Sequence, residues 1–268
     1  MINSVVFFGF FLLKIVVFTV IFLTNPSLYD ILSREDYIIE NMTAIALFLS
    51  SIFLLLSAKV SRKENKFVSY LLLFIGIVFF FGAGEEISWG QRIFGWETPE
   101  SIAAINDQNE TNLHNVNKKF FDRLVDRATI IFVFLSTYLL LKGRTKFQNI
   151  PYPDGLLILC FLITPFYHQY NFVKFDFYHL LIILLFTLLY LGWRKDRKLL
   201  FSSITTGLIL LVIYYFHSTN NENFADHNNS ANEYREYLFS LCCLYYSYFI
   251  YRFQFKLKDE KQTVQNNI

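Results

Sequence analysis

Long apolar runs separated by short polar segments follow one another along the whole chain, and each run is continuous rather than alternating between apolar and polar positions. A transmembrane helix needs roughly 20 mostly apolar residues, whereas the strands of a membrane barrel alternate. The pattern therefore predicts an all-α protein, a polytopic bundle of about eight transmembrane helices. The predicted spans are residues 4–24, 37–58, 67–84, 124–142, 155–168, 177–193, 199–216 and 233–252.

The composition agrees with this class, because 54% of the 268 residues are hydrophobic and only 17% are charged, against roughly 45–50% and 25% in soluble domains. A net charge of +2 provides no general attraction to nucleic acid, so no nucleic-acid partner is expected. The three cysteines lie within apolar runs, which indicates small buried side chains rather than disulfides or a thiolate metal site. The frequent Ile, Phe, Asn and Lys residues are typical of an AT-rich bacterial genome.

Lysine and arginine are concentrated in the segments that follow alternate spans: fifteen of the 24 lie in residues 59–66, 142–146, 194–198 and 252–261. Basic loops remain on the cytoplasmic side of a membrane. Both termini are therefore predicted to be cytoplasmic, including a tail of residues 253–268. Residues 1–268 are predicted to form a single domain in a bacterial cytoplasmic (inner) membrane. The segments predicted to be extracytoplasmic are 25–36, 85–123, 169–176 and 217–232.

The longest predicted extracytoplasmic segment, residues 85–123, is expected to contain short surface helices. One is predicted to begin at Thr98 and Pro99, because Thr is a preferred N-cap and Pro suits the first helical position. The amphipathic stretch 118–123 is predicted to lie in the membrane interface before the fourth span. A loop of this length over helix ends is typical of a lid or a binding element.

Candidate chemistry gathers on the predicted extracytoplasmic side, which holds all five histidines and most of the acidic residues that flank the spans. Groups that are costly in lipid mark functional sites. Imidazole and carboxylate together are ligands for Zn, Fe or Mn, and a metal so held can turn a bound water into a nucleophile. A divalent metal is therefore the expected cofactor. Its predicted ligands are His114, His168, His179, His227 and Glu233, with Arg92, Asp176, His217, Asp226 and Glu236 as supporting residues.

The densest group of polar residues is the motif GEEISWGQR at residues 84–92. Adjacent carboxylates at the end of an apolar helix are costly unless they are paired, protonated or bound to a metal. Glu85, Glu86 and Ser88 are the predicted catalytic residues, with a glutamate as general base. If the third span continues through the motif, Glu85, Ser88 and Arg92 lie on one helix face. A structural ion pair between Arg92 and one of the two glutamates is the open alternative.

Other candidates also have structural alternatives. Glu233 and Glu236 open the eighth predicted span, where acids favour the helix dipole whatever their function. His168 and His179 can be hydrogen-bonded histidines of the membrane interface, and residues 109–115 can be an ordinary polar loop.

Two resemblances follow from these residues. The motif at 84–92, with FG at 94–95, ETP at 97–99 and ETNLHN at 110–115, resembles the signature of a family of bacterial multi-span membrane proteins. It covers about residues 82–116 and implies a multi-span membrane protein without a particular activity. The placement of His, Asp and Ser at one face of a helical bundle resembles the alkaline ceramidase-like membrane hydrolases. The paired histidines on the last span of those enzymes have no counterpart here.

The expected function is that of a metal-dependent hydrolase or transferase acting on a membrane lipid or a lipid-linked substrate. The alternative is an ion or solute transporter or a proton-coupled binding protein, in which the same acids and histidines would form an access site. A transporter usually has polar residues through the middle of the membrane, and Lys14 is the main such residue here. An assembly partner of a membrane complex is the third possibility.

Overall fold

Apolar runs form helices throughout the part of the chain that the computed structural model describes, which is residues 3–34, 37–103, 111–112, 118–168, 178–219 and 228–266. A 3₁₀ turn (Ser88–Gly90) follows α4, and two short strands, β1 (Lys146–Phe147) and β2 (Ile150–Pro151), lie between α7 and α8. The helices are α1 (Ser4–Thr24), α2 (Pro26–Leu32), α3 (Ile38–Ser61), α4 (Lys66–Glu86), α5 (Gln91–Phe94), α6 (Glu100–Ala103), α7 (Lys118–Leu141), α8 (Gly155–His168), α9 (Tyr178–Lys195), α10 (Arg197–Thr219) and α11 (Asn228–Asn266).

All eight segments predicted as spans are helical, so the all-α class is confirmed. Within the described ranges, four segments are long and apolar enough to cross a membrane: Ser4–Thr24, Ile38–Ser61, Lys66–Glu86 and Arg123–Leu141. Helix α8 contributes a shorter apolar stretch, Gly155–Pro165. That α8, α9, α10 and α11 also cross the membrane stays a prediction, as does the direction of each crossing.

The structure differs from one local prediction and adds detail to two others. Helix α6 begins at Glu100 rather than at Pro99, and the Thr98 hydroxyl accepts a hydrogen bond from Gln91 Nε2 at 2.7 Å. Residues 118–123 form the first turns of α7 and are continuous with the fourth predicted span, because no Gly or Pro interrupts the sequence after them; that they lie in the membrane interface stays a prediction. Helix α11 continues through most of the predicted tail.

Asparagine and aspartate side chains set the starts of several helices. Asn3, Asn25 and Asn65 accept hydrogen bonds from backbone N–H groups in the first turns of α1, α2 and α4, at 3.0–3.1 Å. Asp154 caps α8 in the same way, at 3.0 Å. Such caps satisfy N–H groups that have no partner within the helix. With Pro26 at its first position, α2 therefore begins two residues after α1 ends.

Large apolar side chains cover the outside of the helices. Val6, Phe74, Ile131 and Phe201 are each between 59 and 65% exposed. Such surface is unfavourable in water, whereas a lipid bilayer solvates it. Several helical hydroxyls find partners on their own helix, as where Ser50 Oγ donates to the carbonyl four residues earlier at 2.7 Å. The apolar exterior of the helices is thus what a membrane requires.

The described helices group into two compact units that interleave along the sequence. The first unit comprises residues 1–39, 122–144 and 153–242, and the second comprises residues 40–121, 145–152 and 243–268. In the first unit α8 is the central helix and packs against α1 and α10. Its fully buried residues are Ile158, Leu159, Cys160, Leu162 and Ile163.

Helices α9 and α10 of the first unit form a hairpin joined at Asp196. Gly192, near the end of α9, lies against the backbone of the first turn of α10. A Cβ added to Gly192 would be 2.6 Å from the Cα of Leu200. The missing side chain therefore allows the two helices to meet closely. Asp196 Oδ1 accepts a hydrogen bond from the Lys198 amide at 2.8 Å, which caps α10.

Five helix ends of the first unit surround a cavity of about 290 Å³. They are the beginnings of α1, α8 and α10 and the last turns of α7 and α9. The lining includes Asn3, Leu140, Asp154, Lys195 and Lys198. This end of the first unit carries basic side chains, and we call the space the basic cavity.

The second unit has its own apolar core, which the hairpin of β1 and β2 helps to close. Gln148 and Asn149 at the tip have positive φ angles of 42° and 74°, the backbone that a two-residue hairpin turn requires. Asn65 donates to the Gln148 side chain at 3.1 Å, and Gln254 donates to the Asn149 carbonyl at 2.6 Å. The hairpin was not predicted, because each strand has only two residues. The buried core residues are Leu54, Ala58, Val68, Leu72, Ile150 and Ile250.

Candidate functional site

A buried ionic network in the first unit is centred on Arg235, in the second turn of α11. Arg235 is only 2% exposed. Its Nη1 donates to Asp126 Oδ1 of α7 at 2.6 Å, and its Nη2 donates to Glu236 Oε1 at 3.2 Å. The same glutamate oxygen accepts a hydrogen bond from Asn232 Nδ2 at 2.7 Å. A buried charge is tolerated only when it is paired and hydrogen-bonded, so this network fixes the positions of both carboxylates.

A second carboxylate, that of Glu233, lies close to Glu236 of this network. Ligand oxygens of the two side chains lie within 4.8 Å of each other, and both residues are half-buried. Helix α11 begins at Asn228, five residues before the predicted span, so neither acid lies in its first turn. The dipole effect falls off beyond the first turn. Helix capping therefore does not explain this pair of glutamates.

Aromatic side chains pack beside the ionic network. The rings of Tyr29 and Tyr234 stack with centroids 4.2 Å apart, and Phe18 lies 4.5 Å from Tyr234. The Tyr234 hydroxyl donates to the Tyr29 carbonyl at 3.0 Å. Burial, and then the neighbouring Tyr167 phenol, raise the pKa of Tyr29 well above its ordinary value, so this phenol stays protonated.

Helix α2 is also joined to α11 by a polar contact, since Ser230 Oγ donates to Asp30 Oδ1 at 2.7 Å. The first unit thus collects four acids, an arginine and several phenols from α2, α7, α8 and α11 at one place. Carboxylates can accept protons or bind cations, and buried phenols can donate hydrogen bonds. We call this group of residues the Arg235 cluster.

The motif GEEISWGQR lies in the second unit and departs from its predicted helix. Helix α4 ends at Glu86, because Ser88, Trp89 and Gly90 have positive φ angles of 45°, 57° and 79°. The helix therefore does not continue through the motif, which was the condition for Glu85, Ser88 and Arg92 to share a helix face. The chain turns back so that the Trp89 ring covers Gly84. Trp89 Nε1 donates to Glu85 Oε1 at 2.7 Å.

Ser88 is 3% exposed, and its Oγ accepts a hydrogen bond from Asn112 Nδ2 at 3.0 Å. A catalytic serine needs a base that takes its proton. The Asn112 amide donates here and cannot do so, so this contact positions Ser88 without activating it. Gln91 extends the same structure, since its side chain donates to Thr98 and accepts from the Thr111 amide, both at 2.7 Å.

We expect Gly90→Ala to lower the free energy of unfolding by about 1–2 kcal/mol, the cost of left-handed backbone for an L-residue. The added Cβ would also lie 3.1 Å from the Phe94 ring. Thermal unfolding in detergent, followed by tryptophan fluorescence, measures the effect. Gly9→Ala is the control, because nothing lies within 4 Å of that position. Equal melting temperatures for both variants would contradict the left-handed turn.

The structure divides the predicted site residues between the two units. Glu85, Glu86 and Ser88 belong to the second unit, whereas Glu233 and Glu236 belong to the first. His179 is exposed at the start of α9. Their meeting in one metal site stays a prediction. Residues His114, Asp176, Asp226 and His227 lie outside the described residues, and so do the side chains of Arg92, His168 and His217.

Arg235 and Asp126 are the site residues that the sequence analysis missed. Each is a charge within or at the edge of a predicted span, at 124–142 and 233–252. Charges in such positions pair with one another because lipid does not solvate them. That rule could have singled out these two charged residues. The sequence does not show, however, that α7 and α11 are neighbours.

No family model matches the chain, and neither a curated protein nor a solved structure matches it. Its class follows from the molecule itself. Within the described ranges, four helices that are long and apolar enough to cross a membrane, an apolar exterior and a buried ionic network indicate an α-helical membrane protein.

Proposed function

We propose that the protein acts at the extracytoplasmic side of the cytoplasmic membrane as a metal-dependent hydrolase or transferase on a lipid or lipid-linked substrate. The observation that carries this proposal is the close pair of carboxylates, Glu233 and Glu236, beside the buried Arg235. Two carboxylates at this separation repel each other unless a proton or a cation lies between them. Divalent metals are bound by such oxygens, together with imidazole.

In this proposal Glu233 and Glu236 bind the metal. The histidines predicted as ligands from the sequence complete the ligand set: His114, His168, His179 and His227. Arg235 and Asn232 act through Glu236, because their hydrogen bonds hold its carboxylate in one orientation. Partners of this kind raise metal affinity without touching the metal. The metal would activate a water for attack on the substrate, with a nearby carboxylate as general base.

The proposed topology has about eight crossings with both termini in the cytoplasm. Support comes from the basic cavity, where the beginnings of α1, α8 and α10 meet the ends of α7 and α9. Such an arrangement is expected when successive helices cross in opposite directions. The positive-inside rule then assigns this end, with Lys195 and Lys198, to the cytoplasm.

A transporter is the second candidate, and a specific observation favours it. Asp126 lies in an apolar segment of membrane-spanning length and is paired with Arg235. Lys14, at the middle of α1, lies 6.0 Å from the Tyr237 ring centroid and 5.2 Å from that of Phe10. Charged groups within spans are typical of ion or proton paths.

Elemental analysis of the full chain, purified in detergent after incubation with Zn²⁺, Mn²⁺ or Fe²⁺, tests the first proposal. We expect close to one metal ion per wild-type chain. Glu233→Gln and Glu236→Gln should each weaken metal binding by at least the roughly 10–100-fold that loss of a hydrogen-bonding partner of a ligand costs. Glu260→Gln is the control, because it changes an exposed carboxylate on the same helix.

Wild type without bound metal, or an equal loss in Glu260→Gln, would contradict a metal site. The transporter is examined separately, by proton flux into liposomes. Flux in wild type that stops in Asp126→Asn, with no bound metal, would favour the second candidate.

A further inference from the structure

The basic cavity has an apolar wall and a polar rim. Its wall is formed by branched aliphatic side chains, and its rim by two lysines and two aspartates. Within the described part of the chain, neither Lys195 nor Lys198 forms an ion pair. The apolar residues of the wall are Val5, Leu140, Leu156, Leu191 and Leu199.

The two aspartates of the rim are engaged by backbone N–H groups and, among the described residues, form no ion pair with the lysines. Asp154 accepts a hydrogen bond from the Leu157 amide at 3.0 Å, and Asp196 from the Lys198 amide at 2.8 Å. Each carboxylate thus lies at a helix N-terminus, where the positive end of the helix dipole offsets it. The exposed ammonium groups of Lys195 and Lys198 remain available to an anion.

Exposed aromatic residues indicate the depth of this cavity in a membrane. Trp193 is 78% exposed and Tyr190 is 60% exposed, and both lie in the last turns of α9 beside the cavity. Trp and Tyr concentrate at the level of lipid headgroups. On α10, Phe201 and Ile204 are 64% and 44% exposed and continue the apolar surface away from the rim. The cavity therefore opens where headgroups lie, next to a surface for acyl chains.

We propose that the basic cavity binds the headgroup of an anionic phospholipid. Its volume of about 290 Å³ lies just below the roughly 300–1,000 Å³ of small-molecule sites, as suits a headgroup alone. It can hold a phosphate and glycerol group, while the acyl chains remain outside. Basic pockets between transmembrane helices bind anionic headgroups on the cytoplasmic side. The proposal depends on membrane insertion and is independent of the chemistry of the Arg235 cluster.

Native mass spectrometry of the detergent-purified full chain tests the proposed lipid binding, with phosphatidylglycerol and phosphatidylcholine as probes. Wild type should retain phosphatidylglycerol preferentially. Because each basic side chain contributes about fivefold to attraction for an anionic headgroup, Lys195→Gln with Lys198→Gln should reduce the preference about 30-fold. Ser4→Trp fills the cavity without changing charge and should also remove binding.

The control replaces both Lys256 and Lys258 of α11 by Gln. These two lysines are exposed and lie outside the cavity. The control changes the net charge equally and should keep the preference. Equal loss in the control would overturn the proposal in favour of general surface charge. Release of the lipid by millimolar inorganic phosphate would overturn it in favour of a soluble anion. Absence of any lipid preference in wild type would also overturn it.

Discussion

Replacing Arg235 by Met should lower the free energy of unfolding by about 3–5 kcal/mol, the cost of leaving a buried charge without its partner. Arg235 is 2% exposed, and its guanidinium contacts both Asp126 and Glu236. The substitution leaves the Asp126 carboxylate buried in an apolar unit without its cation. Thermal unfolding in detergent, detected by loss of the monodisperse peak in size-exclusion chromatography, measures the change.

Two further variants make this prediction specific. Asp126→Leu combined with Arg235→Met removes the buried ion pair as a whole and should recover much of the lost stability, because Asp126 is the more deeply buried of the two carboxylates that Arg235 contacts. Lys256→Met breaks an exposed pair on the same helix, in which Lys256 and Glu260 lie 3.7 Å apart. It should leave the melting temperature unchanged, since exposed pairs contribute little. If Arg235→Met behaves like Lys256→Met, the buried network does not stabilise the fold.

Gly192→Ala should destabilise the protein by about 3 kcal/mol, at the upper end for overpacking. The added Cβ would contact the Leu200 amide nitrogen and lie 2.6 Å from the Leu200 Cα. Backbone atoms cannot rotate away as a side chain can, so α9 and α10 must separate. The measurement is again thermal unfolding in detergent.

Gly207→Ala is the matched control, because it lies in α10 and faces Leu185 of α9. Its added Cβ would be 3.7 Å from the Leu185 side chain, an ordinary contact. This variant should be neutral or more stable by up to about 1 kcal/mol, from the higher helix propensity of Ala. The two substitutions thus have opposite expected signs. A neutral Gly192→Ala would show that the hairpin is packed less closely than the structure indicates.

The positions of the long helices along the chain were predictable from the sequence, whereas the packing of one helix against another was not. The continuous apolar runs identified the eight long helices of the described residues, because burial and lipid contact both select apolar side chains. The hairpin at Gln148 and Asn149 was missed, since two-residue strands leave no periodic signal. For four of the predicted spans the membrane crossing stays a prediction, because apolar runs in a buried helix and in a membrane helix look alike.

Only part of the candidate site was predicted, because residues that are far apart in the sequence give no local sign that they meet. Glu233 and Glu236 share a helix, so their spacing alone places them together. Asp126 and Arg235 are 109 positions apart, and no local pattern indicates that they meet. The turn at Ser88 and Trp89 was also unpredictable, because neither residue type normally adopts a positive φ.

Helix α11 has 39 residues and is therefore about 58 Å long, nearly twice the roughly 30 Å of a bilayer's hydrocarbon core. Under the proposed topology the span at 233–252 uses about half of this length. The remaining turns, to Asn266, form a rod that projects about 20 Å into the cytoplasm. A fluorescent reporter attached to that rod would be held clear of the headgroups without an added linker.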